Sequence, residues 1–265
     1  MTVYADLFRY RELFGNLFRR DLNAKYKGSL LGVVWVLIPP LVLMGVYLLV
    51  FHYLWRTTPI PHYTLYLLAG LASWVFFSTT IQAGSRAMLD NAPLIRRSRF
   101  PRQLTAFAVV GTNLVTYVLM LAILLVLCFA FIPDARATEW LALPLAACLV
   151  AIVCGLAIAV ASLNVLFRDV EFIVAALLLP WFFLTPVLYP LTGATGLAAR
   201  HHSVLEAIHW VNFLSPAIEA IRDPLFWGRM PYWLDVVYLL VATLAALALG
   251  AYVFRRVDDQ IAIEV

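Results

Sequence analysis

The chain has 265 residues, of which 64% are hydrophobic and only 13% charged, and its formal net charge is +4. So large an apolar fraction exceeds what a soluble domain needs for its core, so it indicates an integral membrane protein. The small net charge argues against a nucleic-acid-binding protein. The three cysteines lie inside apolar stretches, without the spacing or polar neighbours of a disulfide framework or metal site.

The N-terminal segment, residues 1–27, carries six basic residues and no uninterrupted apolar core, so it does not resemble a signal peptide. Its apolar residues recur at helical spacing: Leu7, Tyr10, Phe14, Leu17 and Phe18. This pattern predicts an amphipathic helix over 1–27 that lies in the cytoplasmic membrane interface. Such a helix is either a plain anchor or also a contact for a cytoplasmic partner.

Six long charge-free stretches follow, and a helix needs about 20 apolar residues to cross the hydrocarbon core. They predict an all-α membrane protein whose single transmembrane domain covers 1–265. The predicted spans are 28–55, 64–85, 104–132, 140–167, 172–190 and 232–254.

The distribution of basic residues predicts the orientation of these spans. The loop Arg86–Arg102, between spans two and three, alone holds five arginines. Lysine and arginine together number 14 on the side of the termini and 5 on the other. Because basic loops stay in the cytoplasm during insertion, both termini are expected to be cytoplasmic.

Between spans five and six, residues 197–228 predict two short helices. The first begins at a capping box, Ser203 to Glu206, and the second at Ser215-Pro216, ending at Pro224 and Gly228. Each helix reaches only part of the way across the membrane, yet both are too apolar for open water. A re-entrant pair in the outer leaflet is therefore expected, and a small extracytoplasmic cap is the alternative.

Motifs for catalysis or nucleotide binding are absent from the sequence: it has no phosphate-binding loop, zinc-protease motif or nucleophile elbow. No charged residue lies in the middle of a predicted span, whereas ion-coupled carriers usually need one. Energy for uphill transport must then come from another polypeptide, and no cofactor is expected in this chain. His202, Glu206 and His209 could share a helix face, but interfacial polar residues are favoured over a metal site.

Several aromatic residues fall deep within the predicted spans, away from the interfaces where aromatic belts form. Because aromatic faces stack on sugar rings, these residues are candidates for a carbohydrate path: Trp35, Tyr47, Trp181, Phe182 and Phe183. Polar residues inside spans, such as Asn113, favour hydrogen bonds between helices over substrate contacts. Small residues at Ala242, Ala246 and Gly250 suit either packing within the bundle or a homodimer seam.

Four segments in order along the chain resemble the membrane subunits of polysaccharide-exporting ABC transporters, the O-antigen and teichoic-acid export permeases (Wzm-like, type-2 export fold). They are RRDLNAKYKGSLLGVVWVLIPPL (Arg19–Leu41), NAPLIRRSRFPRQL (Asn91–Leu104), LNVLFRDVEFIVAALLLPWFFLTPVLYP (Leu163–Pro190) and NFLSPAIEAIRDPLFWG (Asn212–Gly228). The resemblance covers nearly the whole chain.

This resemblance implies a homodimer in the bacterial cytoplasmic (inner) membrane with two copies of a cytoplasmic ATP-binding subunit, which would hold ATP and Mg. Its cargo would be a polysaccharide on a polyprenyl pyrophosphate carrier. The segment Asn91–Arg102 resembles the coupling helix that docks on the ATPase, and Val165–Glu171 a second contact. The implied docking residues are Asn91, Leu94, Ile95, Arg96, Arg97, Arg99, Phe100, Arg168 and Asp169.

By position, four basic residues near the cytoplasmic mouth are candidates to meet the pyrophosphate: Arg19, Arg20, Lys25 and Lys27. The same residues also serve the positive-inside rule. An export permease for a drug or another lipid is the main alternative function. A membrane-embedded transferase is less favoured, because Asp90, Asp169 and Glu171 form no recognisable catalytic set.

Overall fold

The computed structural model describes residues 3–27, 38–50, 60–97, 101–190 and 202–264, with side chains omitted at 26, 96–97, 202, 204 and 259–264. Within these ranges the chain is helical and contains no strand. The helices are α1 Ala5–Arg9, α2 Arg11–Tyr26, α3 Ile38–Tyr47, α4 Tyr63–Asp90, α5 Ala92–Arg97, α6 Gln103–Phe131, α7 Ala142–Leu166, α8 Asp169–Leu184, α9 His202–Val211, α10 Leu214–Arg222 and α11 Trp233–Glu264. Two 3₁₀ turns, Pro133–Ala137 and Glu139–Leu141, precede α7, and a π-helical turn, Asp223–Trp227, follows α10.

Four helices are long and apolar enough to cross a membrane, and they match predicted spans two, three, four and six. They comprise Tyr63–Asp90, Gln103–Phe131, Glu139–Leu166 and Trp233–Asp258. Two shorter apolar helices, Ile38–Val50 and Val170–Leu184, coincide with parts of predicted spans one and five. Residues 28–37 and 51–55 of the predicted first span lie outside the described residues.

The predicted end of span five at residue 190 is wrong, because α8 ends at Leu184. Thr185 has an extended backbone, with φ −97° and ψ 137°, and it precedes Pro186. The proline ring disfavours helical geometry in the residue before it, so the chain leaves the helix here. The predicted end of span six at residue 254 is also too early. Helix α11 continues to Glu264, since charged residues such as Arg255 do not break a helix.

Helix α4 forms the centre of the bundle and packs against α6, α7, α8 and α10. Tyr66, Leu67, Leu71 and Phe77 are all fully or almost fully buried. A helix that is apolar all round is favoured in the interior, where every face meets another helix. By contrast, α11 leaves Val241 and Leu244 exposed on its outer face.

Close packing between α7 and α11 makes the most extensive contact between helices. A Cβ atom added to Gly155 would collide with the backbone of Ala246, and one added to Gly250 with the backbone of Gly155. Small residues allow helix backbones to approach in this way. Ala246 and Gly250 therefore pack within the bundle, which resolves one of the alternatives left open by the sequence.

The N-terminal segment forms two helices rather than the single one predicted, because the backbone of Tyr10 is not helical (φ −107°, ψ 34°). The predicted apolar face is confirmed in α2. Leu17 is buried, and the rings of Phe14 and Phe18 pack beside Gly111 of α6. The amphipathic face thus contacts the helical bundle itself.

The segment after residue 201 contains two short helices, as predicted, but the predicted caps are wrong. Helix α10 begins at Leu214, and the backbone N–H of Leu214 donates to the side chain of Asn212 at 3.2 Å. Ser215 is buried inside the first turn of this helix. Pro224 does not end the helical path, which continues to Gly228, where φ is +63°. Residues 197–201 of the predicted pair lie outside the described residues.

Candidate functional site: a basic cavity between α2, α4 and α6

One end of the bundle gathers the C-termini of α4, α7 and α11 with the N-termini of α6 and α8, and we call it the basic end. Ion pairs join these helices there. Arg102 at the start of α6 contacts Asp258 of α11 at 2.9 Å, and Arg86 of α4 contacts Glu171 of α8 at 3.6 Å. The opposite end, which carries α9, α10 and both 3₁₀ turns, is called the far end.

A cavity of about 490 Å³ opens at the basic end between α2, α4 and α6. Three cationic side chains and two carboxylates contribute to its wall, so the wall is net positive. The lining residues are Arg20, Asp21, Ala24, Lys25, Ala83, Arg86, Ala87, Asp90, Asn91, Val109, Thr112 and Asn113.

The cations of this cavity are held by amides as well as by acids. Arg20 donates to Asn91 Oδ1 at 2.6 Å and to Asp21 Oδ1 at 2.8 Å. Lys25 Nζ donates to Asn113 Oδ1 at 3.2 Å, and Asn113 is only 8% exposed. Desolvation by burial lowers the pKa of Lys25. An anion beside this ammonium would oppose that shift by favouring the charged form.

The arrangement is suited to binding an anion. A guanidinium, an ammonium and amide groups face one space, and such groups form charge-assisted hydrogen bonds to phosphate oxygens. The existing ion pairs are exposed ones: Arg86 lies 3.7 Å from Asp90, and both side chains are largely accessible. Exposed pairs of this kind contribute only about 0–1 kcal/mol each, so a phosphate could replace them at small cost.

Of the four predicted pyrophosphate contacts, the structure brings two to this cavity. All four residues are exposed, but only Arg20 and Lys25 line the cavity, whereas Arg19 and Lys27 do not. Sequence reasoning missed Arg86 and Asn113 as part of this site. The charge of Arg86 was visible, but its proximity to α2 depends on how α2 packs on α6.

Those predicted docking residues that the structure describes also lie at the basic end. Asn91 follows α4, and the six residues after it form α5. Ile95 is buried and Leu94 partly buried in the core of this end, so both anchor α5 to the bundle. Arg168 and Asp169 are exposed at the start of α8. The side chains of Arg96 and Arg97, and all of Arg99 and Phe100, lie outside the described residues.

Most of the predicted aromatic path comes together in the core. Tyr47 stacks on Phe182 with ring centroids 5.5 Å apart, and Trp181 meets Phe77 edge-on at 5.3 Å. Trp74 also contacts Phe182 at 5.4 Å, although the sequence did not single it out. Phe183 points to the outside and is 55% exposed. Trp35 lies outside the described residues.

At the far end, Arg222 lies in an unexpected place. In the sequence, Arg222 is only one of the five basic residues on the side opposite the termini, but the structure buries it completely. Its guanidinium donates to Tyr66 Oη at 2.7 Å, to Glu219 Oε1 at 2.9 Å and to the carbonyl of Pro186 at 2.9 Å. The i,i+3 pair with Glu219 is local, but it does not signal this burial, because Tyr66 and Pro186 come from distant segments.

The histidine cluster considered as a metal site has a different arrangement. His209 Nε2 lies 2.7 Å from Asp235 Oδ1 on α11, and the side chain of His202 is not described. Among the residues that the structure describes, no group of three or more histidine, cysteine or acidic side chains could hold a metal ion.

These features define a class: a multi-pass helical membrane protein with a phosphate-compatible cavity at its basic end. The family follows from comparison with known proteins. A model of the ABC-2 type transporter family matches residues 12–226, so the chain belongs to that family.

Relatives with assigned names match over most of their length. The chain is 36% identical over 223 residues to the O-antigen export system permease protein RfbA of Myxococcus xanthus, covering 83% of this chain and 84% of the relative. It is 26% identical over 239 residues to the protein of the same name from Klebsiella pneumoniae, covering 88% of each. It is 23% identical over 248 residues to the polysialic acid transport protein KpsM of Escherichia coli, covering 92% of each.

Proposed function

We propose that the chain is the channel-forming permease subunit of an ATP-driven exporter that moves a lipid-linked polysaccharide across the bacterial cytoplasmic membrane. An O antigen on polyprenyl pyrophosphate is the type of cargo. The observation that carries this proposal is the 36% identity, over most of both chains, to a relative named as an O-antigen export permease. The basic end would face the cytoplasm, with both termini on that side.

The proposed assembly is a homodimer with two copies of an ATP-binding subunit, which would supply ATP and Mg. This chain would perform no chemical reaction itself. Helix α5 and the exposed pair Arg168-Asp169 lie at the same end, where the Arg86–Glu171 contact joins α4, the helix before α5, to α8. A subunit docked there would touch both segments, so its movement would reach α4 and α8 together.

The proposed contact for the pyrophosphate is the basic cavity. Its cations Arg20, Lys25 and Arg86 lie between α2 and the bundle, where a lipid carrier at the membrane interface could reach them. The glycan would then pass the aromatic cluster of Tyr47, Trp181 and Phe182, whose faces can stack on sugar rings.

Matched pairs of neighbouring residues test this site. Lys25→Gln and Arg20→Gln remove cations that line the cavity, whereas Lys27→Gln and Arg19→Gln remove charges of the same segment that do not line it. Hydrogen bonds to charged groups contribute about 1.5–3 kcal/mol, which corresponds to roughly ten- to hundredfold weaker binding of the carrier. Surface polysaccharide is measured in a deletion strain complemented with each variant at equal membrane abundance.

We expect Lys25→Gln and Arg20→Gln to lose most of the surface polysaccharide, and Lys27→Gln and Arg19→Gln to retain it. Equal loss in both sets would contradict the cavity assignment, because the charges would then act only as orientation signals. A deletion strain with normal surface polysaccharide and altered drug sensitivity would contradict glycan export itself.

A further inference from the structure

A second cavity, of about 500 Å³, lies at the far end between α9, α10, the π-helical turn and the start of α11. Its volume falls in the range of sites that bind small molecules, about 300–1,000 Å³. The wall combines acids, one histidine and one arginine with large apolar side chains: Leu205, Glu206, His209, Trp210, Glu219, Asp223, Arg229, Met230, Tyr232 and Asp235.

Three acids of this wall are buried, and each has a basic partner. Asp223, 3% exposed, accepts from Arg229 at 2.7 and 3.0 Å. Asp235, 5% exposed, lies 2.7 Å from His209, and Glu219 accepts from the buried Arg222 behind the wall. A metal ion would have to displace these partners, so the pairing disfavours a cation as the ligand.

The paired groups still offer many hydrogen-bonding positions to a neutral ligand. A carboxylate can accept several hydrogen bonds, and Arg229 carries five N–H donors, more than Asp223 uses. Such a wall recognises hydroxyl groups, which donate and accept with the same oxygen atom.

His209 contributes a further polar side chain to the wall. Its Nδ1 atom is buried and has no hydrogen-bond partner among the residues that the structure describes. Depending on the tautomer set by Asp235, this atom either accepts or donates a hydrogen bond.

Aromatic side chains also line this cavity. Trp210 packs edge-on against His209, with centroids 4.7 Å apart, and Tyr232 is 51% exposed beside the cavity. An aromatic face provides an apolar surface for the C–H groups of a sugar ring, while the ring hydroxyls bond to charged side chains.

We infer that the far-end cavity is a binding site for one or more uncharged sugar residues. The inference rests on the proposed export of a glycan, which would bring sugar rings to this end of the bundle. The site would hold the emerging chain by Tyr232, His209 and the Asp223–Arg229 pair, separately from the pyrophosphate contact at the basic end.

Binding of free sugars to the full chain tests this site without any transport. The chain is reconstituted in lipid nanodiscs without an ATP-binding subunit. Saturation-transfer NMR is recorded with the methyl glycosides of glucose, galactose, mannose and rhamnose and with N-acetylglucosamine. Tyr232→Leu and His209→Gln alter the cavity, and Trp233→Leu, an exposed aromatic neighbour that does not line it, is the matched control.

We expect at least one sugar to bind, both cavity variants to weaken its affinity by about tenfold, and the control to leave it unchanged. Absence of any sugar signal, or equal loss in the control, would overturn the site. Displacement of the sugar by millimolar Mg²⁺ or Ca²⁺ would overturn it in favour of a cation site. Sugar binding without polysaccharide export in cells would refute only the proposed function, and export without sugar binding would refute only this site.

Discussion

Arg222 illustrates how one side chain joins distant parts of the chain. Its guanidinium donates to four oxygen atoms, on α4, on α10 and on the turn at Pro186 and Val187. The guanidinium carbon also lies 3.9 Å from the centroid of the Tyr66 ring. Burying a charge is costly unless it is paired and hydrogen-bonded. These contacts satisfy both terminal nitrogens of the guanidinium, and only the buried Nε has no partner among the residues that the structure describes. Arg222 therefore fixes α10 against the centre of the bundle.

Replacing Arg222 by methionine is expected to destabilise the protein strongly. The substitution leaves Glu219 buried without its cation, and breaking a buried pair in this way costs about 3–5 kcal/mol. The midpoint of thermal unfolding in detergent should fall clearly. Arg136→Met, at an exposed arginine of the same end, is the control and should behave like the wild type. An unchanged midpoint for Arg222→Met would show that the network contributes nothing to stability.

The Arg222 network also explains why residue 70 is a glycine. A Cβ atom at this position would collide with Nη2 of Arg222 and approach the carbonyl oxygen of Val187 to 3.1 Å. Gly70→Ala is therefore expected to cost about 1–3 kcal/mol, as overpacking does. Gly45→Ala, in α3, adds the same methyl group where no atom lies within 4 Å, and it should be neutral or slightly stabilising. Equal unfolding midpoints for the two variants would contradict this packing argument.

At the scale of elements, α5 is held to the bundle by its apolar residues and by Asn91. Asn91 donates to the carbonyl of Ala87 and accepts from Arg20, so the end of α4 is tied to α2. The arginines that follow are not needed for these contacts. Because the apolar residues and Asn91 hold α5, we expect α5 to keep its position when the charges of these arginines are changed.

Charge reversal at Arg96, Arg97 and Arg99 to glutamate should uncouple transport from ATP hydrolysis. The reversed charges would repel the surface that accepts them on the ATP-binding subunit, while Ile95 keeps α5 in place. Surface polysaccharide and ATPase activity of the co-purified complex are measured together. Arg136→Glu, at the far end, is the control for a change of charge. Normal export by the triple variant would mean that the loop serves only as an orientation signal.

At the scale of the whole molecule, the two ends differ in charge and in shape. The basic end carries the cavity cations and α5, whereas the far end carries two 3₁₀ turns, two short helices and the buried Arg222 network. A membrane protein keeps such an asymmetry because basic segments resist translocation. This rule predicts that the basic end lies in the cytoplasm.

Reporter fusions test this orientation. Alkaline phosphatase fused after Ala137, in the first 3₁₀ turn, should be active because that turn would lie outside the cytoplasm. The same enzyme fused to the C-terminus should be inactive, and green fluorescent protein fused there should be fluorescent. The reverse pattern would show that the far end faces the cytoplasm and would remove the basis for ATPase docking at α5.

Apolar runs allowed four of the long helices to be located from the sequence. The predicted starts of α4, α6 and α11 are each within one residue of the observed ones. An uninterrupted apolar run is a local property, and it must be helical in lipid because no water is present to satisfy the backbone. The positions of the basic residues are also a local property of the sequence. They predicted which segments lie together at one end of the bundle.

Contacts between distant helices needed the tertiary structure. The burial of Arg222, the joining of Arg20 and Lys25 with Arg86 in one cavity, and the packing of Gly155 against Gly250 all bring together residues far apart in the chain. Each depends on which face of a helix meets which neighbour. Composition and spacing specified that these helices form and that four of them are long and apolar enough to span a membrane, because those are properties of single segments. Only the packing of the helices decided which residues became the partners of each polar group. A buried charge is stable only where it is hydrogen-bonded, and distant segments supply those hydrogen bonds.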